Sequence, residues 1–122
     1  MTKYFVSPAE KSTTWSIAHS DFERLLRQRW PHAKTIKGSD LDRFRALEWT
    51  VEAPSGVVEG ALNGDGQAIA LDGAIGDVAR MALWFRSVVP SEQALIFYDE
   101  GYNADVELKE GTTVDDLVSP FL

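Results

Sequence analysis

The sequence predicts an α+β fold: a mostly antiparallel sheet of about five to seven strands, with two main helices packed largely on one face and a short C-terminal helix. Several segments alternate apolar and polar residues, as half-buried strands do, and only short turns separate them, which favours hairpins over crossovers. Two longer segments carry apolar residues at helical spacing. The 122 residues are the size of one domain, so residues 1–122 are predicted to form a single globular domain.

A short strand and the first helix are predicted near the N-terminus. Residues 3–6 (KYFV) have strand character, and a polar, irregular stretch follows them. Ser20 and Glu23 have the spacing of a capping box, which predicts that a helix begins near Asp21. Pro31 ends this helix. Its apolar stripe consists of Phe22, Leu25, Leu26 and Trp30.

A run of four strands is predicted next. AKTIK (33–37) is a short candidate strand, and GSDLD after it is a candidate loop. FRALEWTVEA (44–53) gives the strongest strand pattern, and Trp49 is its bulkiest inward residue, so Trp49 is predicted to be buried. PSG turns the chain into VVEGAL (57–62), which predicts an antiparallel hairpin, and QAIAL (67–71) is the last of the four.

The stretch ALNGDGQAIALDG (61–73) resembles a calcium loop in spacing, but it predicts a turn. Asn63, Asp65, Gly66 and Asp72 fall where an EF-hand has its third, fifth, sixth and twelfth residues. However, Ala61 would be the first ligand and has no side-chain oxygen, and both flanks have strand patterns rather than helical ones. NGDG is therefore interpreted as a hairpin turn, since glycine and Asn/Asp supply the positive φ that such turns need.

The second helix is predicted over residues 74–88, ending before Pro90. Its apolar stripe consists of Ile75, Val78, Ala79, Ala82, Phe85 and Val89. Trp84 lies off this stripe, on the side of Asp77, Arg80 and Ser87. Two interpretations stay open: Trp84 packs under a loop or against the first helix, or it is a surface aromatic that anchors a partner.

Two strands and a short helix complete the predicted order. ALIFYD (94–99) is apolar on both faces, which predicts an inner strand covered on each side. EGYN turns the chain, and ADVEL (104–108) alternates again. Thr113 and Asp116 form a weaker capping-box pattern and predict a short last helix.

Charge is uneven along the chain. Residues 1–61 hold nine Lys/Arg and eight Asp/Glu, a net of +1, whereas residues 62–122 hold three and eleven, a net of −8; together they give −7. Such a charge disfavours nucleic acid, which needs Lys/Arg against its phosphates, and favours a basic protein partner. The chain has no cysteine, no apolar run long enough for a membrane span and no apolar stretch of a secretory signal, so a soluble cytoplasmic protein is expected.

No catalytic motif emerges. The sequence lacks G-x-S-x-G, a P-loop, and G-x-G-x-x-G after a strand, and His19 and His32 have no metal-ligand spacing. Catalytic residues, a metal site and a cofactor are therefore not predicted.

Five residues are the candidates for partner binding: Trp84, Asp99, Glu100, Asp105 and Glu107. If the last two strands pair, the four acids crowd one region, as a solvated patch, a docking patch or a catalytic pair. The functional expectation is a non-enzymatic interaction protein that docks a basic protein, in an immunity- or inhibitor-like or adaptor role. The alternative is a small-molecule binding protein or small enzyme with a pocket between helices and sheet, marked by a His or carboxylate of strongly perturbed pKa.

Overall fold

The computed structural model of the protein describes residues 3–10, 14–37 and 46–122. The strands are β1 (Lys3–Pro8), β2 (Lys34–Lys37), β3 (Leu47–Ala53), β4 (Gly56–Leu62), β5 (Ile69–Asp72), β6 (Leu95–Asp99) and β7 (Asp105–Leu108). The helices are α1 (His19–Arg29), α2 (Ile75–Val88) and α3 (Val114–Val118), with a 3-10 turn at Ser119–Phe121. The predicted order of elements and the α+β class are confirmed. Within these ranges, no helix is both long enough and apolar enough to cross a membrane.

All seven strands form one sheet in the order β2-β3-β4-β5-β1-β6-β7, and every neighbouring pair is antiparallel. The hairpins predicted between β3 and β4, β4 and β5, and β6 and β7 are all present. The first strand does not lie at an edge. It is inserted between β5 and β6, and it joins the two hairpin regions into one continuous sheet.

The helices described here lie on one face of the sheet, called the inner face. Phe22 of α1 lies with its ring centroid 5.0 Å from that of Trp49 in β3, and 6.1 Å from that of Phe85 in α2. At the other end, the ring of Phe121 meets those of Tyr4 and Phe97 edge-on. This arrangement confirms the prediction that the helices pack on one face.

The predicted burial of Trp49 is confirmed. Only 2% of this residue is exposed, and its indole Nε1 donates a hydrogen bond to Met81 Sδ at 3.2 Å. Gly60 lies directly opposite Trp49 in β4. A methyl group at Gly60 would overlap the indole ring, so the missing side chain of Gly60 leaves the space that Trp49 fills.

The β4–β5 turn is organised by Asn63. Its side-chain oxygen accepts hydrogen bonds from the backbone N–H groups of Gln67 and Ala68 at 2.9 and 3.2 Å. Gly66 has a φ of +69°, as the turn interpretation requires. The predicted loop GSDLD lies outside the described residues.

One of the two capping boxes was predicted wrongly. Helix α1 begins at His19, after Ala18, and no side chain caps it, because Ser20 already lies inside the helix. The Glu23 carboxylate instead accepts a hydrogen bond from the Thr35 hydroxyl in β2. The box at α3 is confirmed: Thr113 Oγ1 accepts from Asp116 N at 3.1 Å, and the Asp116 carboxylate accepts from Thr113 N at 2.9 Å.

One expectation about exposure is wrong. Strand β6 was predicted to be covered on both faces, but its outward residues Ile96 and Tyr98 are only partly buried because the helices pack on the inner face. Asp77 lies off the apolar stripe of α2 and is nevertheless buried. Its carboxylate accepts hydrogen bonds from Ser55 N at 3.0 Å and from Arg80 at 3.1 Å, so it holds the β3–β4 turn.

Candidate interaction face

The face of the sheet opposite the helices, called the outer face, is strongly acidic. Strand register places eight charged side chains on it. Six are carboxylates and two are lysines: Glu48, Glu52, Glu59, Asp72, Asp105 and Glu107, with Lys3 and Lys34. Glu59 and Asp72 lie directly opposite each other on β4 and β5, and Lys3 lies opposite Asp72 on β1. The outer face therefore has an excess of negative charge that extends across the sheet.

Large hydrophobic side chains are also exposed on this face. Ile36 is 67% exposed, Val57 is 49% exposed and Tyr102 is 58% exposed. Ile36 lies opposite Glu48, and Val57 lies opposite Glu52, so both point outward with the carboxylates. Ile36 and Val57 lie on β2 and β4, whereas Tyr102 lies in the β6–β7 turn at the opposite end of the sheet.

A shallow trough runs along the middle of the outer face. Its floor is formed by the small residues Ala61 and Ala70, which lie opposite each other on β4 and β5. Two grooves of about 440 and 490 Å³ meet there. Ile36 and Glu48 line the first groove, and Phe5 and Tyr98 line the second. Because Ala61 and Ala70 are small, the larger side chains on either side of them project further from the sheet and form the sides of the trough.

Three aromatic rings form a stack on the outer face, called the aromatic ladder: Phe5, Tyr98 and Tyr102. The rings of Phe5 and Tyr98 stack with centroids 5.4 Å apart, and those of Tyr98 and Tyr102 with centroids 5.0 Å apart. The Ser7 hydroxyl donates a hydrogen bond to the Tyr98 hydroxyl at 3.3 Å. Contacts on both sides thus fix the orientation of the middle ring, while Tyr102 at the end of the stack faces water.

The turn that holds Tyr102 is built by Asp99. This residue is 5% exposed, and its two carboxylate oxygens accept hydrogen bonds from Asn103 N and Asn103 Nδ2, each at 2.7 Å. Tyr102 N donates to Asp99 O at 3.0 Å. Within this turn Tyr102 has a φ of +53°, the only non-glycine residue of the described ranges with positive φ. A left-handed backbone conformation costs a non-glycine residue about 1–2 kcal/mol. The turn therefore holds Tyr102 in a conformation that its backbone would not adopt by itself.

The pKa values of Asp99 and Tyr102 are both shifted by their surroundings in this turn. The hydrogen bond from the Asn103 side chain lowers the pKa of Asp99 below its ordinary value, and backbone hydrogen bonds add to it, so together they outweigh the opposing effect of burial. Desolvation raises the pKa of Tyr102, and the charge and hydrogen bonding of Asp105 raise it further. Asp105 occupies the strand position opposite Tyr98, three residues after Tyr102.

The five predicted site residues do not share one surface. Asp105 and Glu107 are exposed on the outer face, and Glu100 is exposed at its rim, where it borders the second groove. Asp99 is buried in the turn. Trp84 is half-buried on the helix side, with its ring 5.5 Å from Phe22 and 5.2 Å from Trp30. This contact agrees with the packing interpretation of Trp84, and a binding role for any of the five stays a prediction.

Sequence reasoning missed the aromatic ladder. Alternation in KYFV puts Phe5 on the opposite face from Tyr4 and Val6, so the pattern does show that Phe5 points outward. It does not show that Phe5 meets Tyr98, because this contact requires β1 to pair with β6, far along the chain. Asp99 shares strand parity with Leu95 and Phe97, but the sequence did not show whether an acid at the end of the strand would be buried.

Aromatic and aliphatic side chains fill the space between helices and sheet. Phe22, Leu26, Phe85 and Phe97 are fully buried there and belong to one core cluster with Trp49. His19 lies at the edge of this layer, with Nε2 3.2 Å from Gly64 O, and His32 is exposed. In the part of the chain that the structure describes, no three His, Asp or Glu side chains are grouped so as to hold a metal ion.

Comparisons of the chain with protein-family models, curated proteins and solved structures found no match. The geometry and charge of the outer face are therefore the basis on which a function is assigned.

Proposed function

We propose that this chain is a non-enzymatic interaction protein that docks a basic protein partner on its outer face. One observation carries the proposal: the described helices all lie on the inner face, and the strand positions opposite them carry six carboxylates against two lysines, with one further lysine, Lys109, paired with Glu107 at 3.7 Å. Charge complementarity steers a basic partner towards such a surface and suppresses acidic ones. The same charge disfavours nucleic acid. An immunity- or inhibitor-like or adaptor role suits a protein of this kind.

The exposed apolar side chains support docking over simple solubility. A surface that served only to keep the protein in solution would gain from its carboxylates, but not from Ile36, Val57 and Tyr102 beside them. In protein interfaces, apolar and aromatic residues contribute most of the binding energy, whereas charged residues set the encounter rate and the orientation. The outer face has both components.

The proposal uses Asp105 and Glu107, with Glu100 at the rim, and does not rest on Asp99 or Trp84. Asp99 contributes indirectly, since it builds the turn between the two strands that carry the exposed acids. The proposal also includes a cytoplasmic location, because a chain without cysteine forms no disulfide and so does not require an oxidising compartment.

The test is affinity capture from native cell extract, followed by rate measurements on the protein recovered. The variant Asp105→Lys/Glu107→Lys reverses two exposed charges of the outer face. A matched control, Glu92→Lys/Glu110→Lys, makes the same change in net charge in exposed loops next to α2. Far-UV circular dichroism checks that both variants remain folded.

We expect the wild-type chain and the control to capture a basic protein and the outer-face variant to lose it. Association should slow in the outer-face variant and its salt dependence should flatten, because steering is screened over about 8–10 Å at ordinary ionic strength. Dissociation should change less than association. The proposal is wrong if the recovered protein is not basic, or if both double variants bind it equally well.

A further inference from the structure

We infer that the ring of Tyr102, backed by Tyr98 and flanked by the Asp105 carboxylate, is a binding site for an arginine side chain of the basic partner. This inference rests on the proposed function and makes it specific, because it names the chemical group that the outer face receives. The site lies at the acidic end of the sheet, where β6 turns into β7.

The geometry of the ladder leaves one ring face free for a ligand. Tyr98 is held between Phe5 and Tyr102, so its ring is already stacked. Tyr102 is the last ring of the stack and is 58% exposed. Stacking of a further planar group on Tyr102 would continue the ladder outward from the sheet.

The local backbone geometry indicates that the turn does not require a tyrosine at position 102. At a φ of +53° glycine would fit without steric cost, and asparagine would fit better than tyrosine. The backbone of the turn is secured by Asp99 and Asn103, whose contacts do not involve the tyrosine ring. A bulky aromatic residue in a strained conformation, exposed to water, points to a role outside the fold.

The carboxylates of the site favour a cation, and the flat face of the Tyr102 ring favours a planar cation. Asp105 lies opposite Tyr98 in the strand register. Desolvation raises the pKa of Tyr102, and the charge of Asp105 raises it further. Glu107 follows Asp105 on the same exposed side of β7, where its carboxylate lies 3.7 Å from Lys109 Nζ. A guanidinium group stacks flat on an aromatic ring while its N–H groups donate to a carboxylate at the ring edge. An ammonium group is attracted by the same charges, but it lacks the flat face and the paired donors. The outer face should therefore prefer arginine to lysine.

The experiment compares two fluorescein-labelled peptides of equal charge, hexa-arginine and hexa-lysine, by fluorescence anisotropy at physiological ionic strength. Three forms of the full chain are titrated: wild type, Tyr102→Gly and Tyr102→Phe. The glycine variant removes the ring and suits the positive φ, so it should fold. The phenylalanine variant keeps the ring and serves as the matched control. Thermal unfolding followed by circular dichroism verifies that all three are folded.

We expect the wild-type chain to bind hexa-arginine about two- to fivefold more tightly than hexa-lysine. Tyr102→Phe should keep this preference. Tyr102→Gly should remove most of it by weakening the hexa-arginine complex, with hexa-lysine binding unchanged, because the net charge is unchanged.

Three results would overturn the inference: equal affinity of the wild type for both peptides, the same loss of preference in Tyr102→Phe as in Tyr102→Gly, or equal weakening of both peptides by Tyr102→Gly. These failures are distinct from failure of the proposed function, which would appear as insensitivity of basic-partner binding to the Asp105→Lys/Glu107→Lys reversal. A face that binds both peptides equally, yet loses both on charge reversal, would be a docking face without an arginine site.

Discussion

Substitution of Gly60 tests whether the absence of a side chain at this position is required for the packing of Trp49. In Gly60→Ala, the new methyl group would point to the inner face, where it would overlap Cε2, Cζ2 and Nε1 of the Trp49 indole. The indole cannot move freely, because it packs against Phe22 on one side and donates to Met81 Sδ. The substitution therefore forces a change in a part of the core that has no spare volume.

The expected cost follows from these contacts. Overpacking of a tight core costs about 1–3 kcal/mol, and displacing the indole weakens a ring contact worth about 0.5–1.5 kcal/mol. Loss of glycine freedom in the unfolded chain offsets about 0.4–1 kcal/mol. The midpoints of these ranges give a net destabilisation of about 2 kcal/mol, a large part of the roughly 5–15 kcal/mol by which a domain is stable. For a chain of this size, the melting temperature should fall by roughly 8 °C.

The assay is urea and thermal unfolding followed by far-UV circular dichroism, which does not depend on tryptophan fluorescence. Gly76→Ala is the control, since a methyl group there would meet only Arg80 Nη1, at an ordinary 3.8 Å, and alanine favours the helix. In a Trp49→Leu background, the Gly60→Ala change should become neutral or stabilising, because the smaller side chain frees the space. A loss below about 0.5 kcal/mol in the wild-type background would refute this account of the Trp49 site.

Two further predictions concern turns. Gly66→Ala should destabilise the protein by about 1–3 kcal/mol in urea unfolding, because alanine is strained at a φ of +69° and its methyl group would overlap the carbonyl oxygen of Ile17; an unchanged midpoint would contradict this. Hydrogen bonds from Asn103 lower the pKa of Asp99, so Asp99 stabilises the fold above its ordinary pKa of 3.8, and this contribution is lost as the pH falls through the lower folded-state pKa. Stability measured from pH 6 down to pH 2 should therefore fall more steeply in the wild type than in Asp99→Asn, and parallel curves would exclude the role given to Asp99.

Most secondary-structure elements could be predicted because each strand or helix has its own local pattern. Burial of one strand face forces alternation, and burial of one helix stripe forces helical spacing, whatever the tertiary neighbours are. The capping boxes show the limit of this reasoning. Thr113 is the N-cap of α3, as predicted, but α1 starts earlier than its box suggests, because packing of Phe22 and Leu26 holds the helix and no side-chain cap is required.

The outward direction of Asp105 and Glu107 was predictable for the same local reason, since each alternates with a core residue of β7. The positions of Trp84 and Asp99 were not settled. A tryptophan off the apolar stripe of α2 can face water or a neighbouring helix, and the choice depends on where α1 lies. An acid at the end of a strand can be exposed or can bind the turn that follows it.

The sequence by itself determined the α+β class, the order of the elements, the three hairpins and the acidity of the second half of the chain. The strand order was decided only by the tertiary structure, which inserts β1 between β5 and β6. This choice lets the inward side chains of β1 join a single core, and it also brings Phe5 onto Tyr98. Pairing between distant strands depends on the summed burial of all side chains and has no local pattern. The acidic face and its aromatic ladder therefore exist only once the whole sheet has formed.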